Sequence, residues 1–462
     1  MSKKIAKIIL TVLLALSFMF MFVFTVFLPR TTTSDYDEDL KKWPEFSWKT
    51  LFNGEYFQGI TEYFTDTVHS RDKFKDNNGF IQSLYGIPKD EEVVVRPNEN
   101  PDNDTSEEPT DGPNWKPSED SDDTSQNDVS TDVSGSETSN DTSNTPGPDT
   151  SEPDDPPAPP DVELSDKVLI IGNRAMEIFY GNLYNAQIFA QTLNEFAENA
   201  LQINPDLNIY SMVVPKASAY YISQSKIYGK YAKNNKENID EINKYLSDSI
   251  RNVNAYDALD KHKDEEIFFR TDHHWTGLGA YYAAREFAKT ANTGFTDLSQ
   301  YDKKIRENYI GTLYKYSNYN PKLLNNPEDF VTYVPRSGYK AVFYDQKFEN
   351  GRDHDLFWDI PQERKSSWYS TFLRGDRYSV KIESDTCKNG RTLLVVKDSY
   401  GNPLPVYLLD SFQTIYVVDA REIQVNLYKM VEDFEVTDVL FAESAFSAVG
   451  ANYITKLKGL MK

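Results

Sequence analysis

A long acidic segment, about residues 97–162, divides this chain and limits where a folded core can lie. Ser, Thr, Asp and Pro dominate it, and apart from Trp115 and a few Val or Ala it holds almost no apolar residue. From Glu99 to Asp161 there are 19 Asp or Glu residues against the single cation Lys116, which is −18 of the chain's net charge of −23. Such a composition buries too little apolar surface to offset its ordering entropy. The segment is therefore predicted to be a disordered spacer or a looped-out insertion.

An apolar run near the amino terminus predicts a membrane anchor. Three lysines precede a charge-free stretch of 21 residues from Ile8 to Leu28, which as a helix of about 1.5 Å per residue matches a hydrocarbon core of about 30 Å. The lysines favour a cytoplasmic amino terminus. A cleaved signal peptide is the alternative, but its apolar region is normally shorter and ends in small residues. Residues 1–30 are thus predicted to be a single-pass anchor, with the rest of the chain outside the cytoplasm.

Two further segments complete the predicted organisation. Residues 31–96 are rich in aromatic and charged side chains, and Phe57, Ile60 and Phe64 lie at helical spacing, so this segment is predicted to be a helical stem. Residues 163–462 are predicted to form the main folded domain.

Charge and cysteine content exclude some classes of function. Outside the acidic spacer the net charge is only about −5, and no basic patch interleaved with aromatic residues occurs, so nucleic acid is not an expected partner. The single cysteine, Cys387, excludes an intramolecular disulfide framework and a cysteine-based zinc cluster. We interpret it as a packed thiol.

After the spacer, short apolar runs alternate with amphipathic segments, which is typical of parallel strands alternating with helices. Because these runs are mostly continuous, both faces of the sheet are predicted to be covered. The sequence thus predicts an α/β fold with a mostly parallel sheet. The predicted strands are Val168–Ile171, Ile209–Val214, Leu393–Val396, Thr414–Val418 and Val436–Phe441, with helices near 182–203, 236–252, 276–290, 403–411 and 422–433. Residues 291–390 lack this rhythm and are predicted to be an irregular elaboration that lines a cleft.

Polar residues stand at two predicted transitions from strand to helix, where such a fold places function. The first precedes the helix predicted near 276–290. Residues two apart in an extended loop point the same way, so Asp272 and His274 are expected to share one face while His273 points to the other. Thr276 suits the N-cap of the helix, which would fix the position of His274.

The second transition follows the predicted strand Leu393–Val396. Ser399 stands there in a tight polar turn with Gly401. A serine at such a turn has its hydroxyl above the sheet, and backbone N–H groups at the helix start can stabilise an oxyanion. Because a serine nucleophile needs a base and the base needs an orienting acid, Ser399, His274 and Asp272 are the predicted catalytic set.

Other interpretations of these residues stay open. A serine turn and an Asp-x-His pair each occur for structural reasons alone. Asp272, His273 and His274 are also a donor set that suits zinc, iron or manganese. Metal sites usually recruit ligands from several elements, however, and the chain's three other histidines show no supporting spacing. No metal and no other cofactor is therefore predicted.

The two motifs resemble those of the bacterial DHHW family. The motif that names this family resembles Thr271-Asp272-His273-His274-Trp275-Thr276, and its serine turn is similar to Lys397-Asp398-Ser399-Tyr400-Gly401. In the stem, its membrane-proximal region resembles Trp43-Pro44-Glu45-Phe46-Ser47, Gly54-Glu55-Tyr56-Phe57 and the stretch from Asp66 to Asp72. The family looks related to the alginate O-acetyltransferases of the AlgX and AlgJ type. The resemblance therefore implies a three-layer fold like that of the SGNH hydrolases for residues 163–462.

The same resemblance implies a reaction. Ser399 would accept an acetyl group and pass it to a hydroxyl of a cell-surface polysaccharide, after delivery across the membrane by a membrane-bound O-acyltransferase. Arg421 resembles a family arginine near the site and could hold a carboxylate or the oxyanion, with a surface ion pair as the alternative. Because Lys397 stands where a Gly-Asp-Ser block would have glycine, the oxyanion hole is less defined. Its candidates, together with those for substrate contacts, are Gly375, Tyr400, Asn402 and Arg421.

The chain is therefore expected to be an extracytoplasmic, serine-dependent O-acetyltransferase or carbohydrate esterase. The first alternative is a non-catalytic polysaccharide-binding or scaffold protein of an acetylation and export complex. The second is an unrelated hydrolase or a metalloprotein. Release of acetate from an acetyl ester, and its loss on Ser399→Ala, would separate the first expectation from the alternatives.

Overall fold

The computed structural model describes residues 19, 28–31, 40–70, 91–95 and 167–462. They belong to a single unit formed by Met1–Glu108 and Glu163–Lys462. The predicted acidic spacer lies outside the described residues, as does the predicted anchor run apart from Met19 and Leu28. Among the described residues, no helix is both long enough and apolar enough to cross a membrane. The anchor and the spacer thus stay predictions.

The described residues form both strands and helices, numbered in chain order. The strands are β1 (Glu91–Val95), β2 (Lys167–Ile171), β3 (Arg174–Glu177), β4 (Asn208–Val214), β5 (Ile250–Asn252), β6 (Tyr301–Tyr309), β7 (Glu328–Pro335), β8 (Tyr339–Tyr344), β9 (Arg352–Asp353), β10 (Ser379–Ser384), β11 (Thr392–Lys397), β12 (Thr414–Asp419) and β13 (Asp438–Ser444). The helices are α1 (Trp48–Asn53), α2 (Glu55–Asp66), α3 (Leu183–Ile203), α4 (Ser218–Tyr221), α5 (Asn234–Tyr245), α6 (Ala255–Asp260), α7 (Gly277–Thr290), α8 (Thr312–Tyr316), α9 (Pro321–Leu324), α10 (Leu404–Tyr407), α11 (Leu427–Asp433), α12 (Ala445–Val449) and α13 (Ala451–Gly459).

A large central sheet organises the fold, as predicted for an α/β protein. Its strand order is β5-β4-β13-β11-β12-β10-β8-β9. Each neighbouring pair from β5 to β12 is parallel. The remaining strands, β10, β8 and β9, extend the sheet from β12 by antiparallel pairing. The sheet is therefore mixed: the strands from β5 to β12 are parallel, and the antiparallel strands follow them in the strand order.

Alternate residues of β11 face opposite cores, which explains why this strand is a continuous apolar run. Leu393 and Val395 lie in one core with buried residues of α7, whereas Leu394 and Val396 lie in the other with buried residues of α3. Successive side chains of a strand point to opposite faces, and burying one large apolar side chain is worth about 1.5–3 kcal/mol. Helices therefore cover both faces of the parallel strands.

The segment Val168–Ile171 is a strand, but its prediction as part of the parallel sheet was wrong. It lies in β2, the middle strand of a separate antiparallel sheet of order β1-β2-β3. Leu169 packs into a core of the central sheet while Val168 and Ile170 pack into a different cluster. Burial on both faces gives the same apolar run in either type of sheet, so the pattern did not distinguish them.

Strand β1 differs from the helix predicted for the end of the stem, and it shows which strands flank the predicted spacer. The stem is helical at α1 and α2, but its residues 91–95 form a strand instead of a helix. Val95 and Lys167 are partners in the antiparallel register of β1 and β2. The predicted spacer therefore lies within the connection between two neighbouring strands.

Residues 291–390 contain more regular structure than predicted. β6 pairs with β7, and β8, β9 and β10 complete the central sheet. Strand β6 escaped prediction because it is polar and exposes most of the side chains between Tyr301 and Tyr309. The helix predicted near 236–252 ends at Tyr245, because the chain turns there and forms β5.

Candidate active site

The Asp-x-His pair lies on a loop that leads into α7. Thr276 caps this helix, as predicted, by accepting a hydrogen bond from the Gly279 N–H at 3.2 Å. A Cβ at Gly279 would lie 2.3 Å from the carbonyl oxygen of Ile267, so only glycine allows this packing. The loop does not follow a strand of the central sheet, however. Phe268 and Trp275 instead form an isolated antiparallel bridge that closes the loop on itself.

The serine turn is held from its amino-terminal side by Asp398. Ser399 begins a 3₁₀ turn directly after β11, and one carboxylate oxygen of Asp398 accepts a hydrogen bond from Tyr400 N at 2.9 Å. The other oxygen accepts from Ser444 N at 2.9 Å and from the Ser447 hydroxyl at 2.7 Å. Asp398 thus fastens the turn to the carboxyl end of β13.

The structure brings Ser399, His274 and Asp272 together at the carboxyl end of β11. Ser399 Oγ lies 2.8 Å from His274 Nε2, and His274 Nδ1 lies 2.7 Å from Asp272 Oδ1. A nucleophile and its base need a separation of about 2.6–3.2 Å. Ser399 retains 9% of its surface, against 4% for His274 and 1% for Asp272, so the serine is the most exposed of the three residues.

Asp272 is held as an anion by its surroundings. Its second oxygen, Oδ2, accepts hydrogen bonds from the Tyr309 hydroxyl at 3.0 Å, from Thr312 N at 3.0 Å and from the Thr312 hydroxyl at 3.1 Å. Burial raises the pKa of Asp272, but the charges of His274 and His273 and the hydrogen bonds from His274 and Thr312 N lower it by more, so the pKa lies well below its usual value. Asp272 can therefore orient His274 without taking its proton.

The ring of Tyr369 also holds His274. The imidazole of His274 stacks on Tyr369, with ring centroids 3.7 Å apart and planes 4° from parallel. The prediction that His273 points to the other face was wrong, because its ring lies beside that of His274, with centroids 3.8 Å apart, and its Nδ1 lies 2.8 Å from the Thr312 hydroxyl. Burial, followed by the effect of His274, lowers the pKa of His273 to about 3, so this ring is neutral.

Three residues of the site escaped prediction from the sequence. Tyr309, Thr312 and Tyr369 all come from the region that lacked a periodic pattern. No motif surrounds them, and the abundance of tyrosine in that region was the only signal. Part of the region 291–390 therefore contacts Asp272 and His274, and its predicted lining of a cleft stays a prediction.

The predicted oxyanion and substrate candidates are mostly engaged with the protein itself. The Tyr400 hydroxyl donates to the carbonyl oxygen of His273, which ties the serine turn to the histidine loop. The Gly375 N–H donates to the Phe372 carbonyl at 3.1 Å. Gly375 ends a run of left-handed backbone with φ of 54°, 57° and 85°, which begins at Leu373.

Arg421 and Lys397 belong to a closed ring of four ion pairs, which we call the ion ring. Lys397 contacts Asp376 at 3.3 Å and Asp419 at 2.9 Å, and Arg421 contacts the same carboxylates at 2.6 Å and 2.8 Å. Two cations thus balance two anions. Arg421 was expected to bind a carboxylate or an oxyanion of the substrate, or to form a surface ion pair. Its hydrogen bonds instead go to two buried carboxylates of the protein.

The ion ring adjoins the serine turn through Asn402 and Gly401. Asn402 Nδ2 donates to Asp376 Oδ1 at 2.8 Å, and the buried Asn402 Oδ1 has no hydrogen-bond partner among the described residues. A Cβ at Gly401 would lie 2.4 Å from the Cβ of Lys397, so glycine makes room for the lysine. Burial lowers the pKa of Lys397, but Asp419 and Asp376 raise it by more, so the lysine is a cation.

The metal interpretation conflicts with these contacts. Ligand atoms of Asp272, His273 and His274 lie within 4.8 Å of one another. Both ring nitrogens of His274 are already engaged, however, one with Asp272 and the other with Ser399. A metal ion would have to displace at least one of these bonds. The absence of a metal stays a prediction, and activity that survives exhaustive chelation is the result expected from it.

Fold and site together define a class: a mixed α/β protein that places a serine, a histidine and an aspartate in one hydrogen-bonded series beside a large central sheet. The family model described as "DHHW protein" matches residues 37–418, and the chain belongs to this family. The family predicted from the two motifs is thereby confirmed.

Several solved structures resemble the chain to different degrees. The crystal structure of a DHHW family protein from Eubacterium siraeum is 37% identical, with a TM-score of 0.58, and the match covers 63% of this chain and 94% of that one. The structure of Bacillus cereus PatB1 with a sulfonyl adduct is 16% identical, with a TM-score of 0.52, covering 62% of this chain and 97% of that one. The O-acetyltransferase domain of Pseudomonas putida AlgJ is 13% identical, with a TM-score of 0.33, covering 60% and 90%. No curated protein matches the sequence.

Proposed function

We propose that this protein is an extracytoplasmic O-acetyltransferase or esterase that acts on a cell-surface polysaccharide through a serine nucleophile. The observation that carries the proposal is the unbroken series of hydrogen bonds from Asp272 through His274 to Ser399. The choice of acetyl group and polysaccharide rests on the resemblance of the two motifs to their family. The same resemblance favours a membrane-bound O-acyltransferase as the partner that delivers the acetyl group.

In the first half of the reaction, Ser399 Oγ attacks the carbonyl carbon of the acetyl donor. Its proton passes to His274 Nε2, and the carbonyl electron pair moves onto the oxygen. When this oxyanion collapses, the bond to the donor group breaks and the leaving group takes the proton from His274 Nε2. Ser399 then carries the acetyl group as an ester.

In the second half, a sugar hydroxyl attacks the acetyl carbon and gives its proton to His274 Nε2. Collapse releases the acetylated sugar, and Ser399 Oγ recovers the proton. Water in place of the sugar hydroxyl gives acetate, so the same residues serve a transferase or an esterase. Throughout, Asp272 stays ionised and holds the Nδ1–H side of the ring.

The oxyanion needs hydrogen-bond donors that point at it before the reaction begins. Among the hydrogen bonds of the described residues, none uses the backbone N–H of Ser399. This group stands at the start of the serine turn, where the fold leaves a donor next to the nucleophile. It is the donor that we assign to the oxyanion, in place of the engaged N–H of Gly375.

The test uses the full chain in detergent with a chromogenic acetyl ester. Wild-type protein is expected to release acetate, and Ser399→Ala is expected to lose that activity. A matched control is Ser411→Ala, because Ser411 is equally a buried serine but bonds to the Gly294 carbonyl at 2.7 Å. A sulfonyl fluoride should label Ser399, as identified by mass spectrometry of peptides.

A non-catalytic scaffold that binds polysaccharide is the other function in question. Folded wild-type protein that neither turns over the ester nor accepts the sulfonyl label would contradict the proposal and favour the scaffold.

The proposed location has its own test. A cysteine introduced in place of Trp115 should react with a membrane-impermeant maleimide on intact cells, because residues after the anchor are proposed to lie outside the cytoplasm.

A further inference from the structure

The geometry points to Asp376 as a positioning residue, which we propose holds the serine turn in its reactive position through Asn402. On this view Asp376 contributes to turnover and not only to stability. The inference rests on the proposed function, because it concerns the same serine.

Asn402 closes the turn that carries Ser399. Its backbone N–H donates to the Ser399 carbonyl at 3.2 Å, one step after the Gly401 N–H donates to the Asp398 carbonyl at 3.0 Å. Asp398 holds the opposite end of the turn through bonds to β13 and α12. A contact that fixes Asn402 therefore helps to fix the carboxyl end of the turn, and with it the position of the nucleophile.

Asp376 is the group that orients the Asn402 side chain. An ionised carboxylate only accepts hydrogen bonds, so the amide must turn its Nδ2 toward Asp376. The bond is 2.8 Å long, and Asn402 Oδ1 is buried with no partner among the described residues. Hydrogen bonding to the rest of the described protein therefore does not hold this amide, and its orientation depends on Asp376.

The ion ring keeps Asp376 charged and in place. Burial raises the pKa of Asp376, but Lys397 and Arg421 lower it by more, so the carboxylate stays ionised. Arg421 Nη2 donates to its far oxygen at 2.6 Å. Directly before Asp376, the residues Leu373–Gly375 have left-handed backbone. Residues other than glycine adopt this conformation only where their surroundings enforce it.

The competing explanation is that the ring only balances buried charge. Removing one carboxylate would then lower activity simply by destabilising the fold. Two double variants separate the explanations, because each removes Lys397 and one carboxylate and each leaves Arg421 with one anionic partner. Lys397→Met with Asp376→Leu removes the partner of Asn402. Lys397→Met with Asp419→Leu keeps it.

The experiment measures kcat and KM for the acetyl ester, together with the melting temperature, for the full chain in detergent. Both double variants are expected to melt within a few degrees of each other. The variant that lacks Asp376 is expected to lose kcat by about 10- to 100-fold with KM changed less than about two-fold, because a small misplacement of a reacting group has that effect. The variant that lacks Asp419 should keep most of its kcat.

A neutral substitution provides a second route if the ring variants do not fold. Asn402→Ala removes no charge, and it is expected to lower kcat by a similar factor. Adding it to the double variant without Asp376 should cause little further loss, because both changes remove one and the same interaction. Independent losses that multiply would contradict the proposal.

The outcomes also distinguish the inference from the function on which it rests. Equal kcat in the two double variants, with active wild-type protein, would overturn the role of Asp376 alone. Wild-type protein that neither turns over the ester nor reacts with a sulfonyl fluoride would overturn the proposed function and this inference with it. A loss of kcat that follows the melting temperature across all variants would assign the ring to stability only.

Discussion

The two ends of strand β11 carry buried ion pairs that differ in how completely they are satisfied. At the amino end, Asp438 is fully buried, and its oxygens accept hydrogen bonds from Arg391, from the Tyr210 hydroxyl at 3.2 Å and from the Thr437 hydroxyl at 2.7 Å. Arg391 also donates to the Ala291 carbonyl at 2.9 Å, at the end of α7. This cluster fastens a helix to the sheet.

At the carboxyl end, the ion ring stands among buried polar atoms that have no hydrogen-bond partner within the described part of the chain. They include Asn402 Oδ1 and Glu443 Oε2. Native proteins satisfy nearly all buried polar groups, so each of these exceptions needs an explanation. Charged groups are thus buried at both ends, and the carboxyl end in addition leaves buried polar atoms without a partner among the described residues.

The largest effect is expected for Asp272→Asn at the carboxyl end. Turnover is expected to fall about 10³- to 10⁴-fold, because an amide cannot hold the histidine in the tautomer and charge state that the reaction needs. The measurement is kcat for the acetyl ester, with circular dichroism as evidence of folding. Asp438→Asn is the matched change at the amino end, and turnover by its folded fraction should stay near that of the wild type.

The amino end should instead respond in stability. Arg391→Met leaves the buried Asp438 without its cation. Because the Arg391 side chain keeps 23% of its surface, the loss of unfolding free energy should stay below the cost of breaking a wholly buried pair, which is about 3–5 kcal/mol. Urea denaturation measures this loss, and turnover per folded molecule is expected to be unchanged. A variant with normal stability but low turnover would contradict this expectation, since it would give the amino end a role in the reaction.

A smaller effect is expected for Glu443→Gln at the carboxyl end. Burial, and then the nearby Asp398, raises the pKa of Glu443 well above its ordinary value of 4.5, so folded protein keeps a proton that unfolded protein releases. The contribution of Glu443 to the unfolding free energy of the wild type should thus be greatest below about pH 4.5. It should fall as the pH rises toward the folded pKa, by at most about 1.4 kcal/mol per pH unit. Gln carries no such proton.

The measurement for Glu443 is the unfolding free energy of both proteins between about pH 5 and pH 8, a range that lies above the unfolded pKa. The difference should move in favour of Glu443→Gln as pH rises. Tyr453, which donates to Glu443 Oε1 at 3.1 Å, can donate equally to the Gln carbonyl, so this contact is preserved. Parallel pH profiles would show that Glu443 is ionised in the folded protein.

The smallest effect is expected from deleting roughly residues 100–160. These residues lie between β1 and β2, which are neighbours in their sheet, so a short linker can replace them. Turnover of the acetyl ester should stay within about two-fold of the wild type. A large fall with the fold intact would show that the acidic segment contributes to the reaction, and neither end of β11 would then account for activity alone.

The sequence indicated the parallel strands well because burial on both faces leaves continuous apolar runs, as in Leu393–Val396. It also placed Asp272 beside His274, since alternation in an extended loop is a local property. The ion ring was beyond such reasoning. Asp376 enters it from a left-handed turn with no motif, and Asp419 comes from a neighbouring strand. Asp419 stands only two residues before Arg421, but Asp376 lies 45 residues away, and no local pattern shows that it supplies the second carboxylate.

The contact between Lys397 and Gly401 has an evolutionary consequence. Lys397 stands two residues before Ser399, and Gly401 stands two residues after it. A Cβ at Gly401 would lie 2.4 Å from the Cβ of Lys397, so only one of these two positions can carry a side chain. A Gly-Asp-Ser block has its glycine before the serine, and this chain has it after. Positions 397 and 401 should therefore covary among relatives. A homologue with glycine at position 397 has room for alanine or serine at position 401, and such a homologue lacks the lysine of the ion ring.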